Sequence, residues 1–217
     1  TLLNRLDISN LPLYRSKLRL ITHLHSNKES TPKSPTIFSY LNKTMNAICV
    51  DSKTLMIKWV DVPDPIPAPD EVTINIHATA VNRADLLQRA GNYPPPHGSP
   101  PYMGLEASGV ISQVGKEVTG WQIGDRVCTL LSGGGYAEKV SSPASLLIRM
   151  PDEWSFEEAA AIPEVFYTAY LNLFIEGRLE KDETVLIHGG ASGVGTAAIQ
   201  LANQREELRT HVHHVGL

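Results

Sequence analysis

The sequence predicts an α/β fold, and three observations carry the prediction. Residues 45–150 hold short apolar, β-branched runs separated by Gly and Pro turns, the pattern of a β-rich domain. Near residue 155 the signals turn helical, starting with a capping sequence and a Pro-initiated segment. Then a strand-like run (184–188), a Gly-rich turn (189–195) and an Ala-rich helical run (194–203) succeed one another, the opening of a βαβ unit.

Within the β-rich part, Ala47–Val50 and Leu55–Val60 read as two strands around a polar turn at Asp51-Ser52-Lys53. Pro63, Pro65, Pro67 and Pro69 then impose an extended loop that is neither helix nor central strand. Residues 71–80 alternate apolar and polar with period 2, a half-buried strand. A short helix over Ala84–Arg89 is stopped by Gly91, and the Pro-rich loop 93–102 has no regular structure. Further strands are expected at Ser108–Val114, Arg126–Leu131 and Tyr136–Val140, punctuated by Gly115, Gly120, Gly124 and Gly133-Gly134-Gly135. Together they suggest a small barrel-like β domain. Ser155-Phe156-Glu157-Glu158 is a capping box opening a helix over Phe156–Ile162. Pro163 starts a second helix through about Glu176, with Gly177 as its stop.

Composition excludes several classes. The 217 residues are 42% hydrophobic and 19% charged, which suffices for a real core in one large domain or two small ones. No apolar run reaches the ~18 residues that span a bilayer, so no membrane role is expected. The net charge of −4 argues against a nucleic-acid surface. Cys49 and Cys128 supply neither a disulfide framework nor a four-Cys zinc lobe, so a reducing, cytoplasmic setting is expected. Residues 1–44 carry +5 and residues 45–217 carry −9. That first segment is basic, hydroxyl-rich and acid-poor. It reads as a disordered or artefactual extension, or alternatively as a mitochondrial transit peptide.

The turn Gly190-Ala191-Ser192-Gly193-Val194-Gly195 carries the chemistry. Small residues let a pyrophosphate approach the backbone, and the helix N-terminus supplies N–H donors and a favourable dipole. Ser192 occupies the second Gly position of the G-x-G-x-x-G pattern, so the alternative is a tight strand–helix connection made for packing.

Six blocks in order extend this reading: Asn82-Arg83-Ala84-Asp85-Leu86-Leu87-Gln88-Arg89, Gly91-Asn92-Tyr93, Gly104-Leu105-Glu106-Ala107-Ser108-Gly109, Gly124-Asp125-Arg126-Val127, Ala159-Ala160-Ala161-Ile162-Pro163-Glu164 and residues 192–200. With them, residues 45–203 resemble the zinc-free quinone oxidoreductase branch of the medium-chain dehydrogenase/reductase superfamily, nearest to its tumour-suppressor-inducible NADPH-dependent type. The resemblance implies a GroES-like β domain (45–163), then the start of a Rossmann domain (164–203), with the active site in the cleft between them. It implies hydride transfer from NADPH to quinones or related α,β-unsaturated carbonyls. Tyr93 would line the substrate pocket and donate a hydrogen bond to the substrate oxygen, and Asn82 would lie near the nicotinamide. Thr168 would face the carboxamide, and Ser192, Gly193 and Val194, with Gly190 and Gly195, would hold the pyrophosphate. Tyr93 could instead be surface packing, and Asn82 a helix N-cap, a role compatible with the first.

No metal is expected. Zinc-dependent members ligate catalytic zinc through Cys, His and Cys. Here Asn82 stands at the first Cys position and Leu105 at the His position, and neither ligates zinc. Glu106 reads as a buried carboxylate paired within its domain, in preference to a ligand.

The likeness stops near Asn203. Residues 204–217, with His211, His213 and His214, read as a disordered, non-matching polar tail, or as an opportunistic metal site. The ribose-selecting residue expected ~20 positions past the Gly turn is missing. So is the sheet edge through which such enzymes form homodimers. The chain is therefore expected to be C-terminally truncated. The competing expectation to a functional reductase is an inactive isoform acting only as a binding module.

Overall fold

The computed structural model describes residues 43–51, 53–204 and 209–213, the last by backbone alone. The expected extension 1–44 therefore lies outside the described residues except for its last two. The described residues fall into two compact units, 43–160 and 161–213.

In the first unit, β1 (Thr44–Val50) and β2 (Ile57–Pro63) form an antiparallel hairpin in register from Thr44↔Pro63 to Val50↔Ile57. Asp51 closes its turn, with Oδ1 accepting the N–H groups of Lys53 and Thr54 at 3.0 Å each. The second strand starts two residues later than expected because Leu55 takes a left-handed conformation, φ 55°.

The chain continues into a five-stranded antiparallel sheet: β3 (Glu71–Ala78), β4 (Glu106–Val114), β5 (Arg126–Leu130), β6 (Lys139–Pro143) and β7 (Leu147–Arg149), in the order β6-β3-β4-β5-β7. Period-2 alternation places Val72, Ile74, Ala107, Ile111, Val127, Val140 and Leu147 in one buried cluster. At β4 the backbones approach so closely that a Cβ on Gly109 would lie 2.0 Å from the Asn75 carbonyl oxygen.

The strand expected at Tyr136–Val140 begins instead at Lys139. The glycines before it, Gly133 and Gly134, hold φ of 158° and 91° and redirect the chain. Residues 136–138 instead cross between hairpin and sheet: Ile48 N–H donates to the Tyr136 carbonyl and Ile76 N–H to that of Glu138, both at 2.9 Å. These bonds give the domain its barrel-like character. β7 leaves no signal in the sequence, because three residues are too few for a period to show.

Helix α1 (Arg83–Arg89) connects β3 to β4, and α2 (Phe156–Ala160) closes the unit. The Ser155 capping box forms as expected: Glu158 N–H donates to Ser155 Oγ at 3.1 Å, and Ser155 N–H to Glu158 Oε2 at 3.0 Å. Helix α2 packs beneath β4, where Ser108 Oγ donates to the Phe156 carbonyl at 2.5 Å.

The second unit contains α3 (Pro163–Tyr170), β8 (Thr184–His188), α4 (Gly193–Asn203) and β9 (Arg209–His213). The helix expected to reach Glu176 changes after Tyr170 to a π-helical turn over Leu171–Glu176. Phe166 and Ala169 of α3 and Ala197, Ala198, Leu201 and Ala202 of α4 are buried as the two helices pack. β9 pairs with β8 in parallel, Thr184↔Arg209 through His188↔His213. Strand, helix and parallel strand complete a βαβ unit where the sequence suggested a structureless tail. Val212 is the one apolar residue from 209 to 213, so no strand period is visible there. The side chains of His211 and His213, and all of His214, lie outside the described residues.

Candidate active site

Asn82 sits where β3 has ended and α1 begins, in the extended conformation of an N-cap residue (φ −107°, ψ 159°). Its backbone N–H donates to Asp85 Oδ2 at 2.8 Å, and its side-chain Nδ2 donates to Glu106 Oε1 at 2.7 Å. The expected N-cap role is therefore present. Asp85 holds the backbone, and the amide reaches the first residue of β4.

Glu106 is 1% exposed, and its pairing with Asn82 gives the buried, domain-internal carboxylate that the sequence suggested. Its strand start is fixed from both sides: Thr79 Oγ1 donates to the Glu106 carbonyl at 2.6 Å, and Leu131 N–H to that of Leu105 at 2.7 Å. Leu105 is itself buried. An amide and an isobutyl group at these places offer no zinc ligand of the usual kind.

Two residues of this cluster lie beyond the sequence reading. Asp85 is buried, and burial pushes its carboxyl above the usual carboxylate range, against the opposing pull of the Asn82 N–H. Tyr136 donates from its phenol to the Ala80 carbonyl at 3.2 Å. Burial, then the charge of Asp85, pushes that phenol upward. The spacing Asn82-x-x-Asp85 is that of a capping box and could have signalled the first. No local pattern signals the second, because it depends on the Gly133–Gly135 redirection. On the adjoining strand the Cys128 thiol is pushed up by burial and then by the Glu106 charge, and it is inert in the folded state.

Tyr93 lies on the Pro-rich loop after α1 and is 39% exposed, so its side chain is reachable from solvent. Thr168 lies in the second half of α3, half-buried, with its carbonyl accepting from Asn172 Nδ2 at 2.8 Å.

The Gly-rich turn forms between β8 and α4. Gly189 adopts φ 64° and its carbonyl accepts from Ser192 N–H at 2.8 Å. Ser192 is the N-cap of α4, with Oγ accepting from Gly195 N–H at 3.0 Å. Gly190 and Gly195 are buried, and a Cβ on Gly195 would meet the Gly189 carbonyl oxygen at 2.3 Å. Ser192, Gly193 and Val194 are exposed at the helix N-terminus. A tight, small-residue turn that presents three exposed residues at a helix start fits a phosphate-bearing ligand, with the N–H groups of Gly193 and Val194 as donors.

Comparison with known proteins shows what the chain is similar to. Residues 68–152 match the alcohol dehydrogenase GroES-like domain. Beyond the domain, the chain is 39% identical over 139 residues to human synaptic vesicle membrane protein VAT-1 homolog-like, covering 64% of this chain and 33% of that protein. The crystal structure of that human protein superposes with a TM-score of 0.72 at 33% identity, over 81% of this chain and 57% of the other. The quinone oxidoreductase from Thermus thermophilus, solved also with NADPH, superposes with a TM-score of 0.66 at 32% identity, over 79% and 54%. The CurK enoyl reductase does so with 0.70 at 28%, over 81% and 55%. The chain thus spans about a third of the curated relative's length and about half of these solved structures. Among the described residues no helix is long and apolar enough to cross a membrane.

Proposed function

We propose that the chain carries the substrate-binding domain and the dinucleotide turn of an NADPH-dependent oxidoreductase acting on quinones or related α,β-unsaturated carbonyls. The observation that carries this is the Ser192-capped turn of β8–α4 in a chain that also holds a GroES-like domain. Similarity to quinone oxidoreductases, one of them solved with NADPH, supports it.

The nicotinamide, when bound, supplies the hydride. The chain's own residues bind and orient. Gly193 and Val194 offer backbone N–H groups to the pyrophosphate, Ser192 fixes the turn, and Gly190 and Gly195 keep its surface free of side chains. Thr168 would face the carboxamide. Asn82 would lie near the nicotinamide, and the Tyr93 phenol would donate a hydrogen bond to the substrate oxygen. The amide at residue 82 and the isobutyl group at residue 105 make this a zinc-independent site. A cytoplasmic setting belongs to the same proposal.

A second reading, reduction of an enoyl or alkenal double bond with the same cofactor, is favoured by the match to the CurK enoyl reductase. Purified chain mixed with NADPH and either an ortho-quinone or an enone distinguishes the two by which substrate drives loss of NADPH absorbance. Saturable NADPH binding with turnover of one of them is expected. Neither binding nor turnover would leave the chain as an inactive binding module.

A further inference from the structure

Building on the proposed reductase reading, we infer that Glu106 is a positioning residue: its carboxylate fixes which way the Asn82 side-chain amide faces. An ionised carboxylate only accepts hydrogen bonds, whereas a primary amide donates from nitrogen and accepts at oxygen. With Nδ2 2.7 Å from Glu106 Oε1, the NH2 end must point at Glu106. The flipped amide would set two acceptor oxygens at that distance.

The rest of the site makes Glu106 a rigid reference. It is 1% exposed at the first residue of β4, paired there with Leu130 of β5. Its backbone carbonyl is held by Thr79 Oγ1. Asn82, by contrast, is half-buried, so part of the residue faces outward. The backbone of Asn82 is anchored independently, through its N–H to Asp85 Oδ2 at 2.8 Å. Asp85 places the residue through the capping box, in which the Asn82 side chain also meets the Asp85 N–H, and Glu106 holds the NH2 end of the amide.

Glu106→Gln tests this, because glutamine keeps the volume but both donates and accepts, and so no longer dictates the amide's orientation. In 15N-labelled protein the Asn82 side-chain amide pair, identified by its loss in Asn82→Ala, is expected to stand apart from the other Asn and Gln amides. In E106Q it shifts towards them while the backbone spectrum is retained. Quinone reduction with NADPH is expected to lose roughly tenfold in kcat/KM in E106Q. The double variant N82A/E106Q falls no lower than N82A alone, since Glu106 acts through Asn82. A merely structural role would give multiplying losses instead. An unmoved Asn82 amide pair in E106Q, or multiplying losses in the double variant, overturns the inference. Should E106Q fail to fold, Glu106→Asp withdraws the carboxylate by one methylene and gives the same readouts. If the unaltered chain shows no turnover, the reductase reading fails while the amide signal still decides the role of Glu106.

Discussion

Asp85 shows how a single residue couples burial to pH. Its folded-state carboxyl is raised, burial being the main cause, so folding favours its protonated form. The stability it contributes is therefore fully present below the ordinary carboxylate range and is lost as pH rises through its folded value. Urea melts of the protein and of Asp85→Asn across the acidic range are expected to differ by an amount that changes in this window. The unaltered protein loses stability relative to the variant as pH rises, and parallel curves would show that Asp85 titrates normally. The two cysteines make a second expectation at this scale. Cys128 is fully buried and Cys49 is partly exposed, so a thiol reagent labels Cys49 first. Cys128 becomes reactive only on unfolding, and equal labelling rates in the folded protein would contradict its placement.

At the scale of elements, two close approaches invite substitution. Gly109→Val forces a side chain into the Asn75 carbonyl across β3 and β4 and is expected to cost about 3 kcal/mol or more in chemical denaturation. Ser192→Ala removes the oxygen that accepts from Gly195 N–H and is expected to cost about 1 kcal/mol. If the turn also holds the pyrophosphate, that variant weakens NADPH binding as well. Elements with a strong period or punctuation are legible in the sequence: β3 from its alternation, α2 from its capping box, and β8 with α4 from the Gly-rich turn. Three features are not legible because non-local contacts decide them. β7 exists only as a short pairing on β5, residues 136–138 are bridges rather than strand, and β9 is held by parallel pairing to β8. Within the candidate site, the turn can be named from residue patterns, whereas Asn82, Tyr93 and Thr168 are named only through the family resemblance. The Asn82–Glu106 bond cannot, since 24 residues separate its partners.

On the scale of the whole molecule, the described residues divide into a unit with its own sheet core and a βαβ unit. The first has about 118 residues, enough to bury a core alone. A chain ending at residue 160 is expected to unfold cooperatively, with the β-type circular dichroism of the five-stranded sheet. A broad, non-cooperative melt would show that it depends on the βαβ unit. On the proposed reading both units are needed, because Asn82 and Tyr93 lie in one and the Gly-rich turn in the other. The most direct test is titration of the purified chain with NADPH, followed by nicotinamide fluorescence, beside Gly195→Ala. Saturable binding is expected, weakened at least about tenfold in Gly195→Ala, since its methyl has no room beside the Gly189 carbonyl. A flat titration, or equal affinity in the two proteins, would contradict a dinucleotide site at this turn.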